Sequence, residues 1–388
     1  MEFIKIIFWL SFFLIFYAFI GYGIVAYLLV KIRKKFSETA VPSDSELPSL
    51  TLVIPAYNEM DCLAAKVENS LSLLYPSDKI RILFVVEGST DGSTEYLNTI
   101  PGIDQISGPT RRGKIEAINM AMTSITTPIV VFSDANTQLN PEALKMIVRH
   151  YQDPTVAAVA GEKRVLMNNE AKATGAGEGI YWKYESFLKK MDSQLQTIVG
   201  AAGELFSIRT ALFEPVEADT ILDDFMISMR FAAQGYRVIY EPGAYASEKP
   251  SFSMGDEKKR KVRISEGGFQ AMERMKHVLN PFRYGLLTFQ YISHRVLRWA
   301  VTPFCLPLFF IANFFLLGQH WVYEFLMAAQ FGFYMLAFVG AILSDSNLKI
   351  KVFFVPYYFC FMHYAVFLGF IKYLKGNPSG IWEKARRA

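Results

Sequence analysis

"SLTLVIPAYNE" occupies residues 49–59. A β-branched, apolar run ends at Pro55 and gives way to the polar pair Asn58 and Glu59. The same change recurs twice downstream. "IRILFVVEGSTDGS" (80–93) passes from apolar residues into a glycine-containing polar loop, and the strand expected at 128–132 runs into Ser133, Asp134, Ala135 and Asn136. Helices fit between these runs. Residues 60–74 are compatible with one, ended by Tyr75-Pro76; "RRGKIEAINMAMTSI" (111–125) is helical by its Ala, Ile and Met content; a third fits 141–152, and "TVAAVAGE" (155–162) reads as a fourth strand. This alternation predicts an α/β domain with a mostly parallel mixed sheet. Ligands in such sheets bind beyond the carboxyl ends of the strands. Asn58, Glu59, Glu87, Asp91, Asp134 and Asn136 all follow strands, so chemistry is expected there.

The rest of the chain has a different character. Of 388 residues 52% are hydrophobic, with 33 Phe and 20 Tyr, and the mean hydropathy is +0.21. Residues 6–30 carry no charge and are followed by "KIRKK" (31–35). A bilayer core needs about 20 such residues in a helix, and basic residues after an apolar run mark the cytoplasmic side. A cleaved signal peptide would have a shorter apolar region and a small-residue cleavage site. Three further apolar stretches lie at 299–318, 322–343 and 352–371. The expected organisation is an N-terminal transmembrane anchor (1–31), a linker (32–49), a catalytic domain (50–275), interfacial helices (276–298), C-terminal transmembrane helices (299–373) and a basic tail (374–388). Four spans would put the tail "IWEKARRA" on the outer side, against the positive-inside tendency, so one stretch could be re-entrant or interfacial. A net charge of +4 carries no nucleic-acid signal, and Cys62, Cys305 and Cys360 have neither disulfide-framework nor zinc spacing.

Four stretches decide the functional reading: "PAYNE" (55–59), "EGSTDGS" (87–93), "FSDANT" (132–137) and "LDDFMISMRFAAQGYRVIYEP" (222–242). In this order they resemble inverting family-2 glycosyltransferases with the GT-A fold. The resemblance extends through "RRGKIEAINMAM" and "GAAGELFSIR" (200–209) and covers nearly all of 50–270. With the flanking membrane helices, the chain looks like the membrane-integrated branch, related to cellulose, hyaluronan and poly-N-acetylglucosamine synthases.

The resemblance implies roles for individual residues. Ala56, Tyr57, Glu59, Glu87, Ser89 and Asp91 would hold the donor's base and ribose. Family members often carry Asp-Asp-Gly-Ser where this chain has Val86-Glu87-Gly88-Ser89, which loosens the expectation of uridine. Lys114 would lie near the diphosphate as a point charge; the alternative is a solvated lysine at a helix start. Asp134 and Asn136 match the DxD position. They would hold Mg²⁺ or Mn²⁺, hard ions that favour carboxylate, carbonyl and phosphate oxygens. Asn136 makes this a less acidic version of the motif. Asp224 would be the general base and Asp223 a supporting carboxylate, although Asp is also favoured at helix N-caps. Gly203 and Glu204 would line the acceptor side.

Processive relatives carry Gln-x-x-Arg-Trp where "KKRKVRISEGGFQA" (258–271) places Arg260, Arg263 and Ile264. Arg263 would pair with the donor diphosphate; the competing reading is a basic stripe against anionic lipid headgroups. Ile264 offers no aromatic face for an acceptor sugar. "GIYWKYESFLKKM" (179–191) reads as an amphipathic helix with Tyr181, Trp182 and Phe187 at a membrane interface or in a core. His277 and His294 read as structural.

The resemblance thus implies a multi-pass protein of the bacterial inner membrane with a cytoplasmic catalytic domain. It would move a sugar from a nucleotide-diphosphate donor, expected to be a UDP-sugar, to a hydroxyl of a lipid-linked or nascent glycan. Its partners would be donor, acceptor and membrane lipids. The rivals are a processive synthase that extrudes its product, a polyprenyl-phosphate glycosyltransferase, and a catalytically silent scaffold.

Overall fold

A computed structural model describes residues 1–33, 40–166, 174–249, 253–343 and 350–376, with side chains omitted for 174–181. The tail "IWEKARRA", the loop residue Asp345 and the Tyr181 side chain lie outside what is described. The described residues divide into two compact units, one from 40–166 and 192–249, the other from 1–33, 174–191, 253–343 and 350–376.

The first unit is built on one eight-stranded mixed sheet. Its strands are β1 (Leu50–Ala56), β2 (Ile80–Glu87), β3 (Asp104–Gly108), β4 (Ile129–Ser133), β5 (Thr137–Leu139), β6 (Val156–Val165), β7 (Leu205–Arg209) and β8 (Arg237–Glu248). Their spatial order is β3-β2-β1-β4-β7-β6-β8-β5. β1 pairs in parallel with β2 and β4, β2 with β3 and β6 with β8, whereas β7 runs antiparallel to both β4 and β6. The four expected strands and the helices Met60–Leu71, Lys114–Met122 and Ala143–Val148 are all present.

Four strands were not expected. β3 reads "DQISG" and β5 only "TQL", each too short or too polar to show a period. β7 lies inside, and β8 begins inside, a stretch read as an acceptor-side motif. The innermost strands explain the apolar runs. Leu50, Leu52, Val53 and Ile54 in β1 and Val130, Val131 and Phe132 in β4 are completely buried, as expected for strands covered on both faces. One core cluster joins Leu50, Leu52, Ile54 and Val131 to Leu63, Leu144 and Ile147 of the covering helices.

The second unit is helical. Among the described residues it contains four helices long and apolar enough to cross a membrane: Glu2–Ile32, Leu286–Leu316, Trp321–Leu343 and Lys351–Leu374. The second candidate span begins at Leu286, ahead of the expected stretch at 299–318, because helical geometry continues through the polar "SHRVLR" segment. Two spans contain π-helical segments, Tyr17–Gly21 and Ile292–Val301, joined by a 2.9 Å hydrogen bond between the Tyr17 hydroxyl and Ser293 Oγ. "KKRKVRISEGGFQA" forms part of the Met254–Arg274 helix, so Arg263 and Ile264 belong to this unit. The Thr174–Leu195 helix carries a half-buried Trp182 and an exposed Phe187.

Candidate active site

The parallel register aligns the carboxyl ends of β1, β2 and β4, and the loops after them form the floor of the site. Two loops are tied together by their own side chains. The Asn58 amide donates to Ser89 Oγ at 3.0 Å, and the Thr90 amide donates to Asn58 Oδ1 at 2.9 Å. Asp91 accepts from the Met60 amide through Oδ2 and from the Ser93 amide and hydroxyl through Oδ1. These bonds hold its carboxyl below the usual range although burial opposes the shift. Ser89 and Asp91, read as donor contacts, thus have work inside the loops: Asp91 serves the starts of two helices. Asn58 adopts a positive φ of 51°, a region Asn tolerates better than most residues.

Glu87 ends β2 and is buried, with Oε1 3.1 Å from an Arg112 guanidinium nitrogen, while Oε2 has no hydrogen-bond partner among the described residues. Gly88, at φ +65°, lies against the Arg111 backbone; a Cβ there would stand 2.6 Å from the Arg111 nitrogen. Only glycine fits both the turn and this approach. The Arg111 guanidinium lies 3.8 Å from the centroid of the Tyr57 ring, a cation–π arrangement. Glu59 precedes the Met60–Leu71 helix, where its carboxylate accepts from Cys62 Sγ at 3.2 Å. Ala56 is buried at the end of β1.

The charged centre is built around Lys114, at the start of its helix after Gly113. Its ammonium lies 2.7 Å from Asp134 Oδ1 and 3.8 Å from Asp223 Oδ2. Burial opposes a charge here, yet Asp134, Asp223 and Asp224 together raise the ammonium's pKa, so it stays protonated. Asp223 and Asp224 open the Asp223–Ala233 helix, whose N-cap is Leu222. They occupy its first turn rather than the cap, where the helix dipole favours negative charge. Burial and then the neighbouring Asp223 push the Asp224 carboxyl up to about 7, against the pull of Lys114. Gly203 keeps this place open: a Cβ there would stand 3.2 Å from Lys114 Nζ and 3.4 Å from Asp224 Oδ2. Glu204, next to it, pairs with buried Lys163, which also pairs with Glu248.

Asp134 is one-third exposed, and among the described residues its side-chain hydrogen bonding is confined to Oδ1. Oδ2 remains for a hard cation. No group of three or more His, Cys, Asp or Glu residues suited to a metal occurs among the described residues. A metal held by Asp134 and Asn136 would therefore take its other ligands from a bound diphosphate, which is common for hard ions that keep substrate phosphates in their shell. Of the expected site residues, Lys114, Asp134, Gly203, Asp223 and Asp224 converge at this centre; Arg263 and Ile264 stand in the helical unit. Sequence reasoning passed over Arg112 as the partner of Glu87, Lys163 as the partner of Glu204, and Lys66 behind Asp134.

This arrangement can be set beside known proteins. Residues 51–216 match the family described as Glycosyl transferase family 2. The chain carries a family 2 glycosyltransferase domain. It is 25% identical over 285 residues to a poly-beta-1,6-N-acetyl-D-glucosamine synthase of Staphylococcus aureus (strain MSSA476), covering 71% of this chain and 67% of that protein. A protein of the same description from Staphylococcus epidermidis is 23% identical over 262 residues, covering 65% of this chain and 62% of that one. The fold is similar to that of a mannosyltransferase from Pyrobaculum calidifontis solved with GDP-Man and Mn²⁺, with a TM-score of 0.72 at 22% identity, covering 96% of this chain and 99% of that one. The chain is thus a glycosyltransferase related to polysaccharide synthases, with a GT-A fold and helices able to span a membrane.

Proposed function

We propose that this glycosyltransferase transfers a sugar with inversion from a nucleoside-diphosphate donor to a glycan or lipid-linked hydroxyl, with Asp224 as the base. One observation carries the reading: Lys114 draws Asp134, Asp223 and Asp224 together at the ends of the strands. The acceptor oxygen attacks the anomeric carbon and forms the new glycosidic bond. The bond from that carbon to the donor's phosphate oxygen breaks, and the nucleoside diphosphate leaves with the electron pair. The acceptor's proton passes to Asp224, whose raised pKa suits it to accept one near neutral pH. Lys114 would follow the charge that grows on the departing diphosphate. Mg²⁺ or Mn²⁺, held by Asp134 and Asn136, would act there as a Lewis acid. Tyr57, Glu87 and Arg112 would receive the nucleotide base, with Ala56, Glu59, Ser89 and Asp91 shaping that pocket; Gly203 and Glu204 would border the acceptor. Arg263 is assigned to the diphosphate and Ile264 to the acceptor's path by the motif match.

The catalytic domain is placed at 50–275 on the cytoplasmic face of a bacterial inner membrane, on the strength of the basic residues after the first span. Asp224→Asn tests the base: donor turnover should fall by about 10²–10⁴-fold with Tm unchanged, and wild-type turnover would overturn the assignment. A second reading, processive polymerisation, is favoured by the names of the Staphylococcus relatives. The loss of an aromatic residue at Ile264 favours short products instead. Incubation with radiolabelled UDP- and GDP-sugars decides between them by product size.

A further inference from the structure

The Met60–Leu71 helix carries a polar stripe on its inner side, where a covering helix would ordinarily be apolar. Cys62, Lys66 and Asn69 are spaced i, i+4, i+7, so they share one face. All three reach the segment 133–139. Lys66 Nζ donates to Ser133 Oγ at 2.7 Å, to the Thr137 carbonyl at 2.9 Å and to Thr137 Oγ1 at 3.4 Å. Cys62 Sγ lies 3.7 Å from the Ala135 carbonyl. Asn69 spans the far end, accepting from the Leu139 amide and donating to the Leu139 carbonyl, both at 2.8 Å. Ser133 and Thr137 also bond each other at 3.1 Å, and Thr137 Oγ1 donates to the Asp134 carbonyl at 2.8 Å.

Lys66 is the unusual member. It is 1% exposed, and its hydrogen-bond acceptors are all neutral oxygens. A buried ammonium is costly unless fully hydrogen-bonded, and core packing alone would be served by leucine. Its three contacts lie on both ends of the turn that displays Asp134 and Asn136.

We infer that Lys66, seconded by Asn69, is a positioning residue for the metal-holding turn: it clamps Ser133 and Thr137 from behind so that Asp134 and Asn136 face the donor diphosphate. The inference rests on the proposed metal role of that turn. Partners outside the ligand shell commonly set metal affinity by about 10–100-fold, and a turn with one carboxylate depends more on its geometry than one with two.

The test uses the full chain in detergent with Mn²⁺ and UDP, and GDP in a parallel arm. Free Mn²⁺ is followed by electron paramagnetic resonance, and turnover is measured against Mn²⁺ concentration. Lys66→Met should weaken Mn²⁺ binding in the nucleotide complex by about tenfold or more and raise the half-activating concentration in step. Asn69→Ala, at a half-buried position, should shift both in the same direction with less risk to folding. Val67→Ala, at a buried apolar position of the same helix, should lower Tm and leave Mn²⁺ affinity unchanged. Wild-type Mn²⁺ affinity in both Lys66→Met and Asn69→Ala overturns the inference, as does an equal shift in Val67→Ala. If wild-type turnover is indifferent to EDTA and no Mn²⁺ binds with either nucleotide, the metal reading itself fails.

Discussion

Asp224 shows how a residue's neighbours set its chemistry. An exposed aspartate is ionised and weakly basic at neutral pH. Here burial and Asp223 bring the carboxyl up to about 7, with Lys114 limiting the rise. A base works when deprotonated, so kcat/KM should be flat above about pH 7 and fall about tenfold per unit below it. Lys114→Met removes the nearby cation and should move that limb upward; a pH–rate profile of both proteins checks it. At this scale the carboxylates Asp134, Asp223 and Asp224 could be read from the motifs, and the structure places them around one ammonium. Lys66 could not be read in that way. A lysine between "AA" and "VEN" looks like the solvated side of a helix, and only the strand packed behind it makes it a buried donor.

At the level of elements, long central strands announced themselves and edge strands did not. β1, β2, β4 and β6 are apolar because helices or neighbouring strands cover them. β3 and β5 stand at the two edges of the sheet; β3 is polar and largely uncovered, and β5, although Thr137 and Leu139 are buried, has only three residues, too few to show a period. In the helical unit, the Thr174–Leu195 helix contributes buried Glu185 to a cluster. Arg295 and Arg298 of the Ile292–Val301 π-segment donate to it at 2.8 Å and 2.9 Å, and His294 stands 3.3 Å away. Glu185→Ala would leave two guanidinium groups buried without this carboxylate. Loss of one partner from such a pair costs about 3–5 kcal/mol, so Tm in detergent should fall markedly. Glu185→Gln, which keeps the shape, should recover part of the loss. The histidine expected to be structural, His294, takes part in this cluster.

For the whole molecule, the proposed donor and metal would act as folding ligands. A ligand that binds only the folded state stabilises it by about 2.7 kcal/mol at a hundredfold excess over Kd. Mn²⁺ with UDP or GDP should therefore raise Tm, Mn²⁺ alone should do so weakly because the turn supplies one carboxylate, and EDTA should cancel the gain. Asp134→Ala should show no shift with Mn²⁺ and either nucleotide. Scanning calorimetry or dye-based melting follows each case, and the matching nucleotide is the one that gives the larger shift.

Local order in the sequence was enough for some features. Apolar runs ending in Glu59, Glu87 and Asp134 specify strands that deliver polar residues to one edge, because a buried strand has to end where its polar groups meet water or ligand. Long apolar stretches specify helices able to span a membrane, because backbone groups in lipid have to be satisfied within the helix. Pairings between distant residues were decided only by the tertiary structure: Lys114 with Asp134 and Asp223, Arg112 with Glu87, Lys66 with Ser133 and Thr137. Each joins segments that are separate in the chain, and their energies depend on burial and distance, which have no value until the sheet has formed.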